Sequence, residues 1–214
     1  MPGSAFSEPP PNAVMLFNGK DLSNWHYRSG EPALYWPVEN GVITVARGDI
    51  VSGEIFDDAF IHVEFMIPDM PQATGQGKGN SGIHVQGRYE IQLLDSYGIN
   101  IPGKGDCGAI YAQHAPLVNA CKPPLEWQSF DIIFRAPRVD ESGTVIERGR
   151  MTILQNGIVI QNNAEVLGVN VGPANVNIGE PGPLMIQDHG APLKFRNIWL
   201  VHLPPKGSDT YGPQ

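Results

Sequence analysis

Three stretches of the 214-residue chain carry side chains whose types and spacing could do acid–base or sugar-binding chemistry. The densest is Asn80–Gly98, NSGIHVQGRYEIQLLDSYG, where His84, Gln86, Glu90 and Gln92 alternate with Ile83, Val85, Tyr89, Ile91 and Leu93. Period-two alternation is the pattern of a half-buried strand, and it sets residues two apart on one face. A three-residue loop around Arg88 would pair Gln86 with Glu90 and His84 with Gln92, so that all four polar groups share a face. A carboxylate held among amides and an imidazole can take or give a proton. A bulge at Leu93-Leu94 would bring Asp95 to the same face. Glu90 and Asp95 would then resemble the carboxylate pair of a retaining glycosidase, which needs a separation of about 5–5.5 Å. Without the bulge, Asp95 caps the turn into Ser96-Tyr97-Gly98.

A second theme runs through Trp127–Arg135 and Phe60–Ile67. In the first, Phe130, Ile132 and Phe134 oppose Trp127, Ser129, Asp131 and Arg135, with Ile133 the aliphatic exception. In the second, Ile61, Val63, Phe65 and Ile67 oppose His62 and Glu64. Solvated sheet faces are usually filled by Lys, Glu and Thr; Trp, His, Gln and Arg suit hydrogen bonding and stacking on a sugar. The third stretch is Gln187-Asp188-His189-Gly190, where Asp188 could set the tautomer of His189 and raise its basicity. Its plainer reading is a turn ending in Gly190 with an exposed imidazole.

The elements that position these groups read as strands. Gly 25 and Pro 20 are too many for a helical bundle, and no stretch holds a 3.6-residue apolar period for three turns. Short β-rich runs recur between turn signals: Leu34–Val38, Gly41–Val45, Phe60–Ile67, Gly82–Gln86, Tyr89–Leu94, Ala109–Tyr111, Gln128–Arg135, Met151–Gln155, Ile158–Asn162, Leu184–Gln187 and Leu193–Leu203. Asn156-Gly157 between two of them predicts a type I′ hairpin. The expectation is all-β: two antiparallel sheets packed face to face, as one sandwich domain over 13–214 behind a Pro-rich tail at 1–12. Pro68–Asn80, rich in Gly and polar residues, is long for a connection within a domain and is either a functional loop or an insertion.

Composition narrows the partners. Lys+Arg 14 against Asp+Glu 22 gives a net charge of −8, which argues against nucleic acid or an anionic membrane. No apolar run reaches the roughly 18 residues of a membrane span, and Met1–Asn12 has neither the basic nor the apolar region of a signal peptide. Cys107 and Cys121 are two free thiols or a loop-closing disulfide; with no CxxC or His-rich spacing beside them they do not predict a metal site.

Read together, these segments resemble the 3-keto-disaccharide hydrolase family. The matching pieces are LFNGKDLSNW (Leu16–Trp25), NSGIHVQGRYEIQLLDSYG (Asn80–Gly98), GAIYAQHAP (Gly108–Pro116), KPPLEWQSFDIIFRAPR (Lys122–Arg138), the Asn156-Gly157 hairpin and LMIQDHGAPLKFRNIWL (Leu184–Leu200). Gln86 stands where many members have Arg. The resemblance implies a concanavalin A-like jelly roll, export to a periplasmic or secreted location, and a small carbohydrate or glycoside as substrate. It also implies cleavage of glycosides already oxidised at C3, by abstraction of the acidic C2 proton, β-elimination of the C1 aglycone and addition of water. On that chemistry Glu90 is the first candidate for base or acid, and His189 with Asp188 the complementary proton carrier. Arg135, Lys122 and Gln92 are candidates to hold the oxyanion and hydroxyls, with Trp127 and Tyr111 as an aromatic platform and His84, Asp95 and Gln187 beside them. No cofactor is expected. Lectin-like folds often bind calcium, for which the loops at Asp57-Asp58 and Asp140-Glu141 could serve, but no metal site is assigned. A non-catalytic carbohydrate-binding module and a conventional retaining glycosidase are the competing readings, and the sequence does not set the oligomeric state.

Overall fold

A computed structural model describes residues 8–170 and 172–205. Its strands are β1 (Val14–Phe17), β2 (Trp25–Tyr27), β3 (Val38–Glu39), β4 (Val42–Thr44), β5 (Ile50–Phe56), β6 (Ala59–Met66), β7 (Ser81–Val85), β8 (Tyr89–Leu93), β9 (Trp127–Arg135), β10 (Arg138–Val139), β11 (Val145–Glu147), β12 (Arg150–Gln155), β13 (Ile158–Glu165), β14 (Gly182–Ile186) and β15 (Lys194–His202). One short 3-10 turn, Gly75–Gly77, interrupts the loop before β7, and there is no α-helix among the described residues. No helix is therefore long and apolar enough to cross a membrane.

The strands form an eight-stranded sheet, ordered β13-β12-β9-β6-β15-β4-β3 with β1 also on β15, and a five-stranded sheet, β2-β5-β14-β7-β8. All pairings are antiparallel. β10 and β11 make a separate small ribbon. The all-β sandwich is thus the architecture that the alternation predicts.

The two sheets meet through the apolar half of each alternating strand. Ile61, Val63 and Phe65 of β6 and Phe130, Ile132 and Phe134 of β9 face Ile83, Val85, Ile91 and Leu93 of β7 and β8, all fully buried. Phe65 packs on Phe130 with ring centres 4.8 Å apart, and Tyr89 reaches across the sandwich to Phe134 at 5.8 Å. Burying each such side chain stabilises the fold by about 1.5–3 kcal/mol. The β12–β13 hairpin turns at Asn156-Gly157, with φ of 54° and 81°, as a type I′ turn requires.

Several boundaries differ from expectation. β1, β2, β5, β10 and β11 lie outside the expected strands: β5 (IVSGEIF) carries Ser52-Gly53-Glu54 in its interior, which hides the period. Of Leu34–Val38 only the last residue is in a strand. Ala109–Tyr111 is not a strand but an irregular strip joined to β8 by the isolated bridge Ile91↔Ile110. In the expected tail, residues 8–12 turn into β1 through a hydrogen bond from Ala13 N to Pro10 O. Residues 1–7 of that tail and 206–214 of the expected domain lie outside the described residues.

Candidate active site

The β7–β8 hairpin pairs His84 with Glu90 and Gly82 with Gln92. This register is shifted by two residues from the expected one. A shift of two preserves the faces, so His84, Glu90 and Gln92 still share the outer face of the five-stranded sheet. Gln86 does not: it sits in the turn at φ 54°, followed by Gly87 at φ 65°. Its amide donates to Phe56 O at 2.8 Å and accepts from Arg88 Nη1 at 2.8 Å, holding the turn.

Neighbouring strands extend this face. Met185 of β14 lies against His84, Val51 of β5 against Met185, and His26 of β2 against Val51. One pair further along, Gln187 N donates to Gly82 O, and Asp49 forms an ion pair with Arg28 at 3.2 Å. Arg28 also donates to Pro173 O at 2.7 Å. The open edge of β8 is closed by the strip that follows Cys107. Gly108 N donates to Gln92 O, Gln92 N to Ala109 O, and Tyr111 N to Glu90 O. Asn170 bridges the two strands of backbone, accepting from Glu90 N at 2.9 Å and donating to Tyr111 O at 2.6 Å.

At the centre, Gly82 lacks a side chain because Glu90 and His84 occupy its space. A Cβ there would lie 2.9 Å from Glu90 Oε1 and 3.2 Å from His84 Nε2. The two functional groups thus converge over one glycine. Glu90 is only 5% exposed and His84 is fully buried. Burial raises the Glu90 carboxyl to about 7. Burial, with the charge of Arg28, lowers the His84 imidazole to about 4. At neutral pH the site therefore holds a carboxyl poised between its two forms and a neutral imidazole. Neither ring nitrogen of His84 has a protein partner, nor does Gln187 Oε1, so this face holds three buried polar atoms whose hydrogen bonds a polar ligand could supply.

Gln92 answers the charge on Glu90. One end of its amide lies 3.0 Å from Glu90 Oε1 and 3.2 Å from Ser81 O. With Glu90 ionised that end must be the NH2, which donates to both oxygens. With Glu90 protonated it can be the carbonyl, accepting the carboxyl proton while the NH2 faces Gln76 Oε1 at 2.9 Å. Gln76 comes from the Pro68–Asn80 loop, so that loop forms one wall of the site; it also donates to Gly105 O at 2.9 Å.

The structure brings His84, Glu90, Gln92, Gln187 and Tyr111 together. It does not bring the other candidates to this face as expected. Asp188 spends its carboxylate on Gly48 N (2.8 Å) and Gly190 N (2.9 Å), capping the turn, and His189 beside it is exposed. Asp95 pairs with Lys78 at 2.8 Å and caps Tyr97 N, so no carboxylate pair forms with Glu90. Lys122 donates to Trp127 O. Trp127 and Arg135 lie on the outer face of the eight-stranded sheet, across the sandwich from Glu90; Arg196 stacks on Trp127 at 4.0 Å and Arg135 pairs with Glu147. The polar residues of β6 and β9 form their own cluster on that face. His62 Nδ1 meets Asp131 at 2.6 Å, and Glu64 takes Arg196 at 2.6 Å and Asn197 at 2.9 Å. The acidic loops considered for calcium are otherwise engaged: Asp58 with Arg138 at 2.6 Å, Asp140 with Ser142 and Thr144. Sequence reasoning missed Gly82, Asn170, Gln76, Arg28 and Asp49, whose roles depend on partners distant in the chain.

A family model described as the 3-keto-alpha-glucoside-1,2-lyase-like domain matches residues 12–201. The chain belongs to that family. Among solved structures it is similar to a candidate glycosyl hydrolase of Parabacteroides distasonis ATCC 8503, with 41% identity and a TM-score of 0.83 over 91% of this chain and 85% of that one. A second candidate glycosyl hydrolase of that organism shares 24% identity, with a TM-score of 0.67 over 90% of this chain and 94% of the other. A third shares 20%, with a TM-score of 0.62 over 89% and 99%. Likeness at these two lower identities is one of fold. None of the curated proteins compared with the chain matches it. Family membership makes a sugar the class of substrate and glycoside cleavage the class of reaction.

Proposed function

We propose that the chain cleaves glycosides carrying a ketone at C3, with Glu90 as the base that removes the C2 proton. The observation that supports this most directly is the buried Glu90 carboxyl, shifted to about 7, meeting the neutral imidazole of His84 over Gly82. A base matched to neutral pH is what abstraction of a carbon-bound proton requires, and the 3-keto group makes that proton acidic enough to take. As the C2–H bond breaks, charge develops on the C3 oxygen. A neutral imidazole N–H can donate to that oxygen without bringing a second charge into a buried site, and Gln187 is placed to bind a hydroxyl. Collapse of the enolate re-forms the ketone, sets a double bond between C1 and C2, and expels the aglycone, whose oxygen takes a proton from water. The hydroxide left adds at C1 and the proton on Glu90 returns to C2, completing a net hydrolysis. His84 here takes the oxyanion-holding part for which the resemblance made Arg135, Lys122 and Gln92 the candidates. A periplasmic or secreted location, which the family resemblance implies, belongs to the same proposal.

The test is to incubate the protein with a 3-keto aryl glucoside beside its unoxidised parent and follow both by mass spectrometry. Only the keto compound should be cleaved, and Glu90→Gln should lower kcat/KM by about 10²–10⁴-fold, the usual size of a general-base contribution. Cleavage of the parent, or full activity in Glu90→Gln, overturns the proposal; sugar binding without turnover of either compound makes the chain a binding module.

A further inference from the structure

We infer that Cys107 and Cys121 are a disulfide-forming pair that pins the strip closing the edge of β8. They are the chain's two cysteines, so neither has an alternative partner within it. Both are buried and free, and both lie against the Leu94–Ser96 turn, Cys107 through its backbone N–H and Cys121 through its thiol. The surroundings are shared and rigid. Cys107 N donates to Ser96 Oγ at 3.0 Å, Gln155 Nε2 lies 3.4 Å from Cys107 Sγ, and Cys121 Sγ lies 3.8 Å from Leu94 O. Gly108, just after Cys107, is at φ 83°, and a Cβ on it would meet Ile160 Cδ1 at 2.3 Å. The chain at Cys107 is thus held in one place on both sides.

What the cross-link would enclose gives it meaning. The loop from Cys107 to Cys121 contains Gly108, Ala109 and Tyr111, whose backbone groups bind Gln92 and Glu90. Joining its ends removes conformations from the unfolded chain while leaving the native strip where it is. The step balances simply. Two S–H bonds break and one S–S bond forms, while two protons and two electrons pass to a disulfide oxidant of the glutathione class, which leaves as two thiols. Because both thiols are buried in the folded protein, oxidation accompanies folding.

The test is to refold the full chain from denaturant in buffer with excess oxidised glutathione, then denature it and alkylate. The wild-type chain should be a monomer lighter by about 2 Da, without adducts, and reduction should lower its Tm by about 5–10 °C. Cys107→Ala and Cys121→Ala should each keep one modifiable thiol and lose the effect of reductant on Tm. Two adducts on the refolded wild type, a disulfide-linked dimer, or an oxidised monomer that melts no higher than the reduced one overturns the inference. None of these readouts depends on the substrate.

Discussion

Gly82→Ala tests the site by adding one methyl group at its centre. The backbone there is not in the left-handed region, so alanine is conformationally allowed, unlike at Gly87 or Gly108. The new Cβ would stand 2.9 Å from Glu90 Oε1, 3.0 Å from Glu90 Cγ and 3.2 Å from His84 Nε2. Carbon contacts relax at about 3.5–4.0 Å, so Glu90 must retreat by roughly 0.5–1 Å and His84 by somewhat less. Retreat is resisted, because Gln92 already lies 3.0 Å from Glu90 Oε1. Overpacking of this kind costs about 1–3 kcal/mol, offset by the roughly 0.5–1 kcal/mol by which alanine exceeds glycine within a strand. The variant should therefore fold, with Tm lower by only a few degrees. A misplacement near 1 Å costs about 10²-fold in rate, so kcat/KM on a 3-keto aryl glucoside should fall by that order. The assay is initial rates of phenol release, run beside a circular-dichroism melt. A folded Gly82→Ala protein with wild-type kcat/KM refutes the claim that Glu90 and His84 act from this point.

Glu90→Gln should be about 10²–10⁴-fold less active yet more stable. Burial raises the folded carboxyl to about 7 from its ordinary 4.5, so its ionisation destabilises the fold progressively as pH rises from 4.5 to 7. At pH 8 urea unfolding should show a gain of up to about 3 kcal/mol that disappears below pH 4; no gain at pH 8 contradicts the burial argument. The same titration predicts that wild-type kcat/KM rises with pH to a plateau above about 7, and a flat profile from pH 5 to 8 rules Glu90 out as the base. On the other sheet, burial alone would raise Glu64, but the His62 imidazole 3.7 Å away and the hydrogen bonds from Asn197 and Arg196 outweigh it and hold the carboxyl at about 2. Its stabilisation is present above 4.5 and lost as pH falls towards 2, so Glu64→Gln should flatten the acid limb of the stability curve; an unchanged limb would show that the cluster contributes nothing. Arg135→Ala should leave kcat/KM within twofold and stability within about 0.5 kcal/mol, since Arg135 and its partner Glu147 are 49% and 57% exposed. A tenfold loss of activity there would place the site on the wrong sheet.

What the sequence made legible was local. Alternation in Asn80–Leu93 placed His84, Glu90 and Gln92 on one face whether the loop pairs residues as expected or two positions away, because a period of two is unchanged by a shift of two. Asn156-Gly157 announced its turn from backbone chemistry alone. The strands that escaped notice are too short to show a period, as β1, β2, β10 and β11 are at two to four residues, or break it in their interior, as β5 does. Asp95 and Asp188 follow the plainer of the two readings that the sequence left open for each. Each is a short carboxylate next to a turn, where capping a nearby backbone N–H is always available and needs no partner from elsewhere.

The larger divergence concerns which faces belong together. The polar sides of β6, β8 and β9 read alike in one dimension, and grouping them gathers Trp127, Arg135 and Glu90 into one site. The structure assigns β6 and β9 to one sheet and β8 to the other, so the two polar faces look away from each other across the core. Nothing in a strand's alternation states which sheet it joins; that follows from long-range pairing. Covering decides the rest. A carboxylate on an open sheet face stays near its ordinary value. Glu90 departs from it because Gln76, the Gly108–Tyr111 strip and Asn170 close around it, from segments distant from it in the chain or beyond the sheet edge. Asp131, on the outer face of the other sheet, is buried as deeply, but it is paired with His62 at 2.6 Å. Two buried acids with similar strand contexts thus differ in what faces them: Asp131 has an imidazole in hydrogen-bond contact, whereas Glu90 has no opposing charge beside it, which is why Glu90 is the one proposed as the base.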